Sequence, residues 1–438
     1  MNRIKISMAT ALAAGLFLLP PILLAQESPQ AGGEDAADFE AALFGGDGFP
    51  ESAAGRPVAD GQAGAAAASA EVARTEYLVG GTAVVKADAA SADPYDAYTT
   101  KAGVSGKVFA KVSDPDFGAL YIAYNVSHPF FRGYSGDGPA PTAENPYEPD
   151  YELAELHYSF DIAKKVFVRL GNQLIAWGPS RIWTPVDFIN LQRADPFAEL
   201  DSRRGKPGLR VHVPLKRGNL FGFADFGSTS ADGAYGDPAE TVNLAGRADF
   251  TAGGFEFGAT AYGGSEAAPR FGADFSGRLL GTTVYGEYAL TTGENGADPS
   301  VQASAGFSRV LGELKRWTVS AEGFFNSRGK DRSGLSAFDL ALLPPDEQAA
   351  PLYEGVWYAY ASIQADELFS PDLATTLSVT ANLTDQSYLA KLSETVTLPR
   401  AVPFTVALSY AGGGENKEFT RYAGDGALSA SLSVRIEF

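Results

Sequence analysis

The 438-residue chain has no cysteine and only three histidines, His128, His157 and His212. The first lack excludes a disulfide scaffold, a thiolate metal site, a cysteine nucleophile and acylation of a processed N-terminus. The second leaves little material for a histidine-based metal cluster, and no metal or cofactor is expected. Bases are scarce as well. Lys and Arg number 34 against 53 Asp and Glu, for a formal net charge of −19. Such a balance excludes a general nucleic-acid binder, which needs a basic footprint. No Gly-x-Ser-x-Gly, paired-metal or phosphate-loop motif occurs, and no blade-length repeat. Mean hydropathy is −0.08, which argues against a helical membrane protein but not against the membrane itself. What the chain does have is 49 glycines together with 12% aromatics, a mixture that suits many turned strands better than helices.

Residues 1–25 carry a short basic start (Arg3, Lys5) and an apolar stretch from Ala9 to Leu24, then Ala25 before polar Gln26-Glu27-Ser28. This is the layout of a secretory signal peptide, although Leu23 stands where a small residue is expected. Pro20 and Pro21 speak against a permanent membrane helix, and no later apolar run reaches about 18 residues, so no helix spans a bilayer after processing. Without Arg3 and Lys5 the chain holds 32 bases against 53 acids, near −21.

Residues 26–75 are rich in Ala and Gly and hold nine acids against two bases, Arg56 and Arg74. Too little apolar surface is available there to offset ordering, so this acidic segment is expected to be disordered. One island, 38–46, places Phe39 and Leu43 on one helical face with Gly45 to end the turn. It reads as a stray apolar patch, as a docking motif for a periplasmic partner, or as a segment that enters a pore.

From Glu76 onward the period is two. In Ala427–Phe438 the even positions Leu428, Ala430, Leu432, Val434, Ile436 and Phe438 are apolar, and serines, Arg435 and Glu437 occupy most odd ones. Alternation sustained over twelve residues makes a strand with one greasy and one polar face. A strand closing on Val434, Ile436 and Phe438 resembles the C-terminal assembly signal of outer-membrane β-barrel proteins, which implies the barrel-assembly machinery as a partner. The same rhythm recurs at 77–87, 101–112, 117–127, 153–162, 166–176, 209–216, 219–228, 241–250, 254–263, 270–280, 282–292, 300–310, 316–326, 354–364, 374–384, 387–398 and 403–411.

With the terminal strand these make eighteen, and residues 76–438 divide into about 20 residues per strand and connection. Spanning strands need about 9–11 residues each, which leaves short turns on one side and longer loops on the other. The expected fold is all-β: a transmembrane antiparallel barrel of 16–18 strands, eighteen preferred, set in the outer-membrane lipid bilayer. Closure is required because an open edge in hydrocarbon would leave backbone groups unpaired. A soluble sandwich would show the same alternation. Tyr and Trp girdles argue for the barrel, and Tyr77, Trp177, Trp183, Trp317, Tyr358, Tyr360, Tyr388 and Tyr410 lie near segment ends or loops.

A barrel of this size leaves an aqueous channel. Between Lys164 and Arg217 eleven bases face four acids, a local +7 in an acidic chain. By parity Arg169, Arg210 and His212 point inward; Lys216, Arg203 and Arg204 belong to the same basic stretch and complete the expected pore lining. Inward cations favour anions. Alternatively these bases pair with lumenal acids and knit the wall.

The connection 178–204 is too long for a tight turn, and long ordered loops usually have a function. Its Ile182, Trp183, Val186, Phe188, Ile189 and Phe197 suit packing against a wall. It is therefore expected to fold inward and narrow the pore, with Arg181, Trp183, Asp187 and Phe188 at the constriction; an ordinary surface loop is the alternative.

Gly171-Asn172-Gln173-Leu174-Ile175-Ala176-Trp177-Gly178, followed by Trp183-Thr184-Pro185-Val186-Asp187-Phe188-Ile189-Asn190, resembles a signature of Gram-negative porin-like barrels of the alginate-export type and related uncharacterised barrels. The resemblance implies the architecture, and a basic lumen that conducts an acidic polysaccharide is similar in kind to the Lys164–Arg217 cluster.

Three function classes follow. A passive channel for small polar, anionic solutes is favoured, with a substrate-specific exporter or importer of an acidic saccharide beside it. A barrel phospholipase with a Ser/His pair would need a base facing lipid, whereas His157 and His212 point inward, so an enzyme is not expected. A structural or adhesive barrel would use loops near 131–150, 327–353 and 411–426.

Overall fold

The computed structural model describes residues 75–93, 97–135, 148–190, 196–227, 242–264, 267–293, 298–312, 317–343, 352–421 and 424–438. The leader 1–25, the acidic segment up to residue 74 with its 38–46 island, and residues 191–195 of the long connection lie outside the described residues.

The alternating segments become strands β1 (Glu76–Asp93), β2 (Ala97–Asp114), β3 (Gly118–Ser135), β4 (Asp150–Ile162), β5 (Val166–Gln173) and β6 (Lys206–Leu215). They continue as β7 (Gly218–Asp225), β8 (Asn243–Ala252), β9 (Phe255–Gly264), β10 (Arg270–Leu279), β11 (Thr282–Thr291) and β12 (Ser300–Leu311). The last six are β13 (Trp317–Asn326), β14 (Trp357–Asp366), β15 (Leu373–Asn382), β16 (Ser387–Leu398), β17 (Val402–Gly412) and β18 (Leu428–Glu437). A single short helix, α1 (Ala337–Ala341), interrupts the β13–β14 connection among the described residues.

Each strand pairs antiparallel with its neighbours in sequence, and β1 pairs with β18, so the 18-stranded sheet closes on itself. At the seam Thr82 lies opposite Glu437; Gly81 N–H donates to the Phe438 carbonyl at 2.8 Å and Phe438 N–H returns the bond to Gly81 at 3.0 Å. Closure leaves no edge to satisfy, which is what a sheet in hydrocarbon requires.

The pairing rows separate the two faces. Leu170 lies opposite Leu209, Leu377 opposite Leu392, and Leu392 opposite Leu408, on the outside, where all but the half-buried Leu209 are exposed. One residue along, Arg169 meets Arg210 and Phe167 meets His212 on the inside. Turns between an even strand and the next odd one are short, only residues 216–217 between β6 and β7 and 280–281 between β10 and β11. The long connections lie at the opposite end of the ring.

Three sequence expectations shift. Strands β1, β2 and β3 are 18 residues each. At ~3.3 Å per residue they run well past the apolar layer: β3 continues from His128 to Ser135 beyond its last partner on β4 at the long-loop end, and β1 starts at Glu76, beyond Phe438, at the other. The alternation in 153–162 breaks at Ala154, where a bulge against Ala123/Tyr124 adds a residue and moves Leu153 rather than Ala154 opposite Tyr124. The aromatic girdle loses members too. Trp177, Trp183 and Tyr358 are buried inside the ring, because their segments turn inward or their pairing rows face the lumen, whereas Tyr388 and Tyr410 are exposed outside, their rings tilted against each other.

Candidate functional site

Strand β5 ends at Gln173, and the chain then leaves the wall. Gly171 has φ +128°, and a Cβ there would sit 2.3 Å from the Leu156 carbonyl oxygen. Gln173 is fully buried; its amide donates to the Gly208 carbonyl at 3.3 Å and pins the strand end to β6. Gly178, with φ +103°, turns the chain where a Cβ would come within 2.4 Å of the Glu287 carboxylate. Both glycines occupy backbone that an L side chain rarely adopts.

Beyond Gly178 the segment reaches strands β11–β14. Strand β13 is eight strands round the ring from β5, almost half the circumference, so the segment crosses the interior. Two carboxylates on the far wall receive it. Glu287 of β11 accepts Ser180 N–H at 2.8 Å and Val186 N–H at 3.0 Å. Glu322 of β13 accepts Arg181 N–H at 3.1 Å, Ile182 N–H at 3.2 Å and Trp183 N–H at 2.8 Å, and also the Tyr285 hydroxyl at 2.9 Å. The Ser180 and Ser304 hydroxyls meet at 2.8 Å. A loop has unpaired N–H groups and a buried carboxylate needs donors, so each side satisfies the other.

Apolar packing completes the attachment. Trp183 stacks on Phe324 with ring centroids 5.5 Å apart, joined by Tyr353 and Tyr358, and its indole N–H donates to the Leu352 carbonyl at 3.0 Å. Phe188 and Ile189 pack with Ile175, Trp177 and wall residues Phe223, Ala245, Tyr262 and Ala289. On the return, Asn190 donates to both Asp187 oxygens at 2.7 and 2.9 Å. Arg203 joins Asp187 at 3.3 Å to Asp201 at 2.8 Å. Arg204 pairs with Glu152, and Asn125 donates to the Ser202 carbonyl at 2.8 Å, which returns the chain to the β3–β4 side of the ring.

The remaining bases are distributed unevenly. Arg210 is buried with its guanidinium over Phe221 at 5.1 Å, and His212 stacks on the same ring at 4.4 Å while meeting Asn219 through Nε2. Arg169 is half-buried opposite Arg210. Lys216 occupies the two-residue turn between β6 and β7, exposed at the rim. Buried ion pairs knit other parts of the wall: Lys206–Asp225 at 2.8 Å, Arg247–Asp274 at 2.6 Å and Lys107–Glu155 at 3.0 Å. His157, stacked on Tyr121 and 3.4 Å from the Ser159 hydroxyl, faces the interior and not the lipid side. Arg181 is exposed, with its guanidinium 5.9 Å from the centre of the Tyr285 ring.

Sequence reasoning passed over Glu287, Glu322 and Tyr285. Period two marks them as inward, but their partners in the crossing segment lie between 101 and 141 residues away, and no local pattern carries that pairing.

No protein-family model and no curated protein matches the chain. Solved structures do. OccAB1 of Acinetobacter baumannii is 11% identical at a TM-score of 0.54, over 83% of this chain and 96% of that one. A BenF-like porin from Pseudomonas fluorescens Pf-5 is 12% identical at 0.54, over 83% and 98%. Pseudomonas aeruginosa OccK2 (OpdF), solved in complex with glucuronate, is 13% identical at 0.53, again over 83% and 98%. At such identity the likeness establishes the fold, an 18-stranded porin-like barrel.

Proposed function

We propose that this protein is a diffusion channel of the Gram-negative outer membrane for small polar, anionic solutes, its bore narrowed by the 178–204 connection. The observation that carries the reading is a segment that leaves β5, crosses the interior of a closed ring and is fastened to the far wall. A ring of 18 strands is wide enough for water, and a strap across it reduces that opening without sealing it. Export through the inner membrane is assigned to the 1–25 leader, and recognition by the barrel-assembly machinery to Val434, Ile436 and Phe438.

Charge gives the direction of selectivity. Arg169, Arg210 and His212 sit on the inner face of adjacent strands, and a low-dielectric wall raises the potential they create. Arg203 and Arg204, already met by carboxylates, contribute less, and Lys216 acts only at the rim. A second reading, passage of an acidic saccharide, draws support from the glucuronate-bound channel of the same fold.

The test is a planar-bilayer recording of the purified protein. Stable conductance steps with a reversal potential on the anion side are expected, and the Arg169→Gln/Arg210→Gln double variant should lower anion over cation permeability. A folded barrel that stays silent would replace the channel with a structural or adhesive role. Steps whose reversal potential is the same in the double variant would remove these two arginines from selectivity.

A further inference from the structure

We propose that Arg181 adds to the anion preference of the bore and that Glu322 and Tyr285 are the pair that positions it. The assignment rests on the channel reading and adds to it a residue with two supports.

An ion in the bore responds to charge that the wall has not already neutralised. Most of the buried bases described above are matched: Lys206 by Asp225, Arg247 by Asp274, Lys107 by Glu155 and Arg203 by Asp187 and Asp201. Arg210 is buried, with its guanidinium laid over Phe221. Arg181 differs in place and in exposure. It lies on the part of the segment that has crossed the ring, and its side chain is exposed. A unit charge at that level, between low-dielectric walls, acts on every ion that passes.

Its position is over-determined from one side. The backbone N–H of Arg181 and those of the next two residues all donate to the Glu322 carboxylate. The hydroxyl of Tyr285 donates to that carboxylate at 2.9 Å, which fixes the ring's orientation, and the face of the ring carries the Arg181 guanidinium. Glu322 therefore holds the main chain of Arg181 directly and its side chain through Tyr285. With Glu322 filled by four donors, the guanidinium is directed onto the ring and toward the open bore.

The experiment measures reversal potentials of the full-length protein in a planar bilayer under a KCl gradient. Arg181→Gln should lower the anion-to-cation permeability ratio roughly sevenfold, because one kT of local potential enriches monovalent anions about 2.7-fold and depletes cations by the same factor. Arg181→Lys should retain most of the preference. Tyr285→Phe keeps the ring and frees it from Glu322, so the ratio should fall part of the way; in the Arg181→Gln background it should change nothing further. Glu322→Gln, which loosens the main chain, should raise conductance, the mark of a released strap that Arg181→Gln should lack.

A conducting Arg181→Gln protein with the wild-type reversal potential would overturn the assignment. A Tyr285→Phe effect of equal size with and without Arg181 would overturn the positioning role. Silence of the wild type would instead remove the channel reading, and this assignment with it.

Discussion

Asp225 and Lys206 meet at 2.8 Å with side chains 0% and 7% exposed. Breaking one half of such a pair strands the other charge in a place that water does not reach. Asp225→Ala should therefore destabilise the barrel by about 3–5 kcal/mol, whereas replacing both partners by apolar residues of similar volume should recover most of the loss. Thermal loss of the compact band on a detergent gel reads both. Glu418, in the β17–β18 connection outside the strands, gives a pH effect. Burial pushes its carboxyl up from 4.5 to about 7, against hydrogen bonds from Tyr358, Leu352 and Asn382. The ordered loop thus keeps a proton that the released loop would lose. Its stability is full below about pH 4.5, falls as pH rises toward 7 and stays low above that. Hydrogen exchange across 413–421 should show better protection at pH 5 than at pH 8, and Glu418→Gln should abolish the difference. At this scale the sequence was only half legible. Period two indicates that Arg210, Asp225 and Glu322 face inward, but a partner on another strand cannot be read from neighbours in the chain.

The crossing segment is an element with no regular secondary structure, and it is held by what it touches. Gly178→Ala would place a methyl against the Glu287 carboxylate at a backbone angle that alanine disfavours. The turn should open, the contacts of Ser180 and Val186 with Glu287 should loosen, and single-channel conductance should rise toward that of a chain lacking 182–198. Equal conductance in all three proteins would mean that the segment does not limit flow. The motif that carried the resemblance now has physical content: two glycines at positive φ, a glutamine that pins a strand end, and an Asp187–Asn190–Arg203 knot on the way back. The strands were legible because their signal is local, one face greasy and the other wet. The aromatic girdle misled at Trp177 and Trp183, since an indole at a strand end can serve the lipid interface or an interior contact, and only the path of the following residues decides which.

For the molecule as a whole, counting the alternating segments after residue 75 yields eighteen, the strand number of the closed ring. The count works because hydrocarbon thickness fixes strand length and closure forbids a spare edge. It could not reveal that β1, β2 and β3 are longer than the rest, because beyond the lipid nothing in the alternation sets a length. A ring sealed by eighteen antiparallel ladders should resist detergent, so an unheated sample should run as a compact band that shifts on boiling. Deleting Phe438 removes both seam hydrogen bonds to Gly81 and should slow appearance of that band in a refolding assay.

The strap has a mechanical side as well. A hoop of many strands is stiff along each strand but compliant to squashing, and a bilayer presses on it from the flanks. A spoke fixed near β5 at one end and to Glu287, Glu322 and Trp183's pocket at the other ties two nearly opposite points of the wall together. Cutting it would do more than widen the opening: the wall would be free to breathe between round and oval, and the open-state current would become noisier as well as larger.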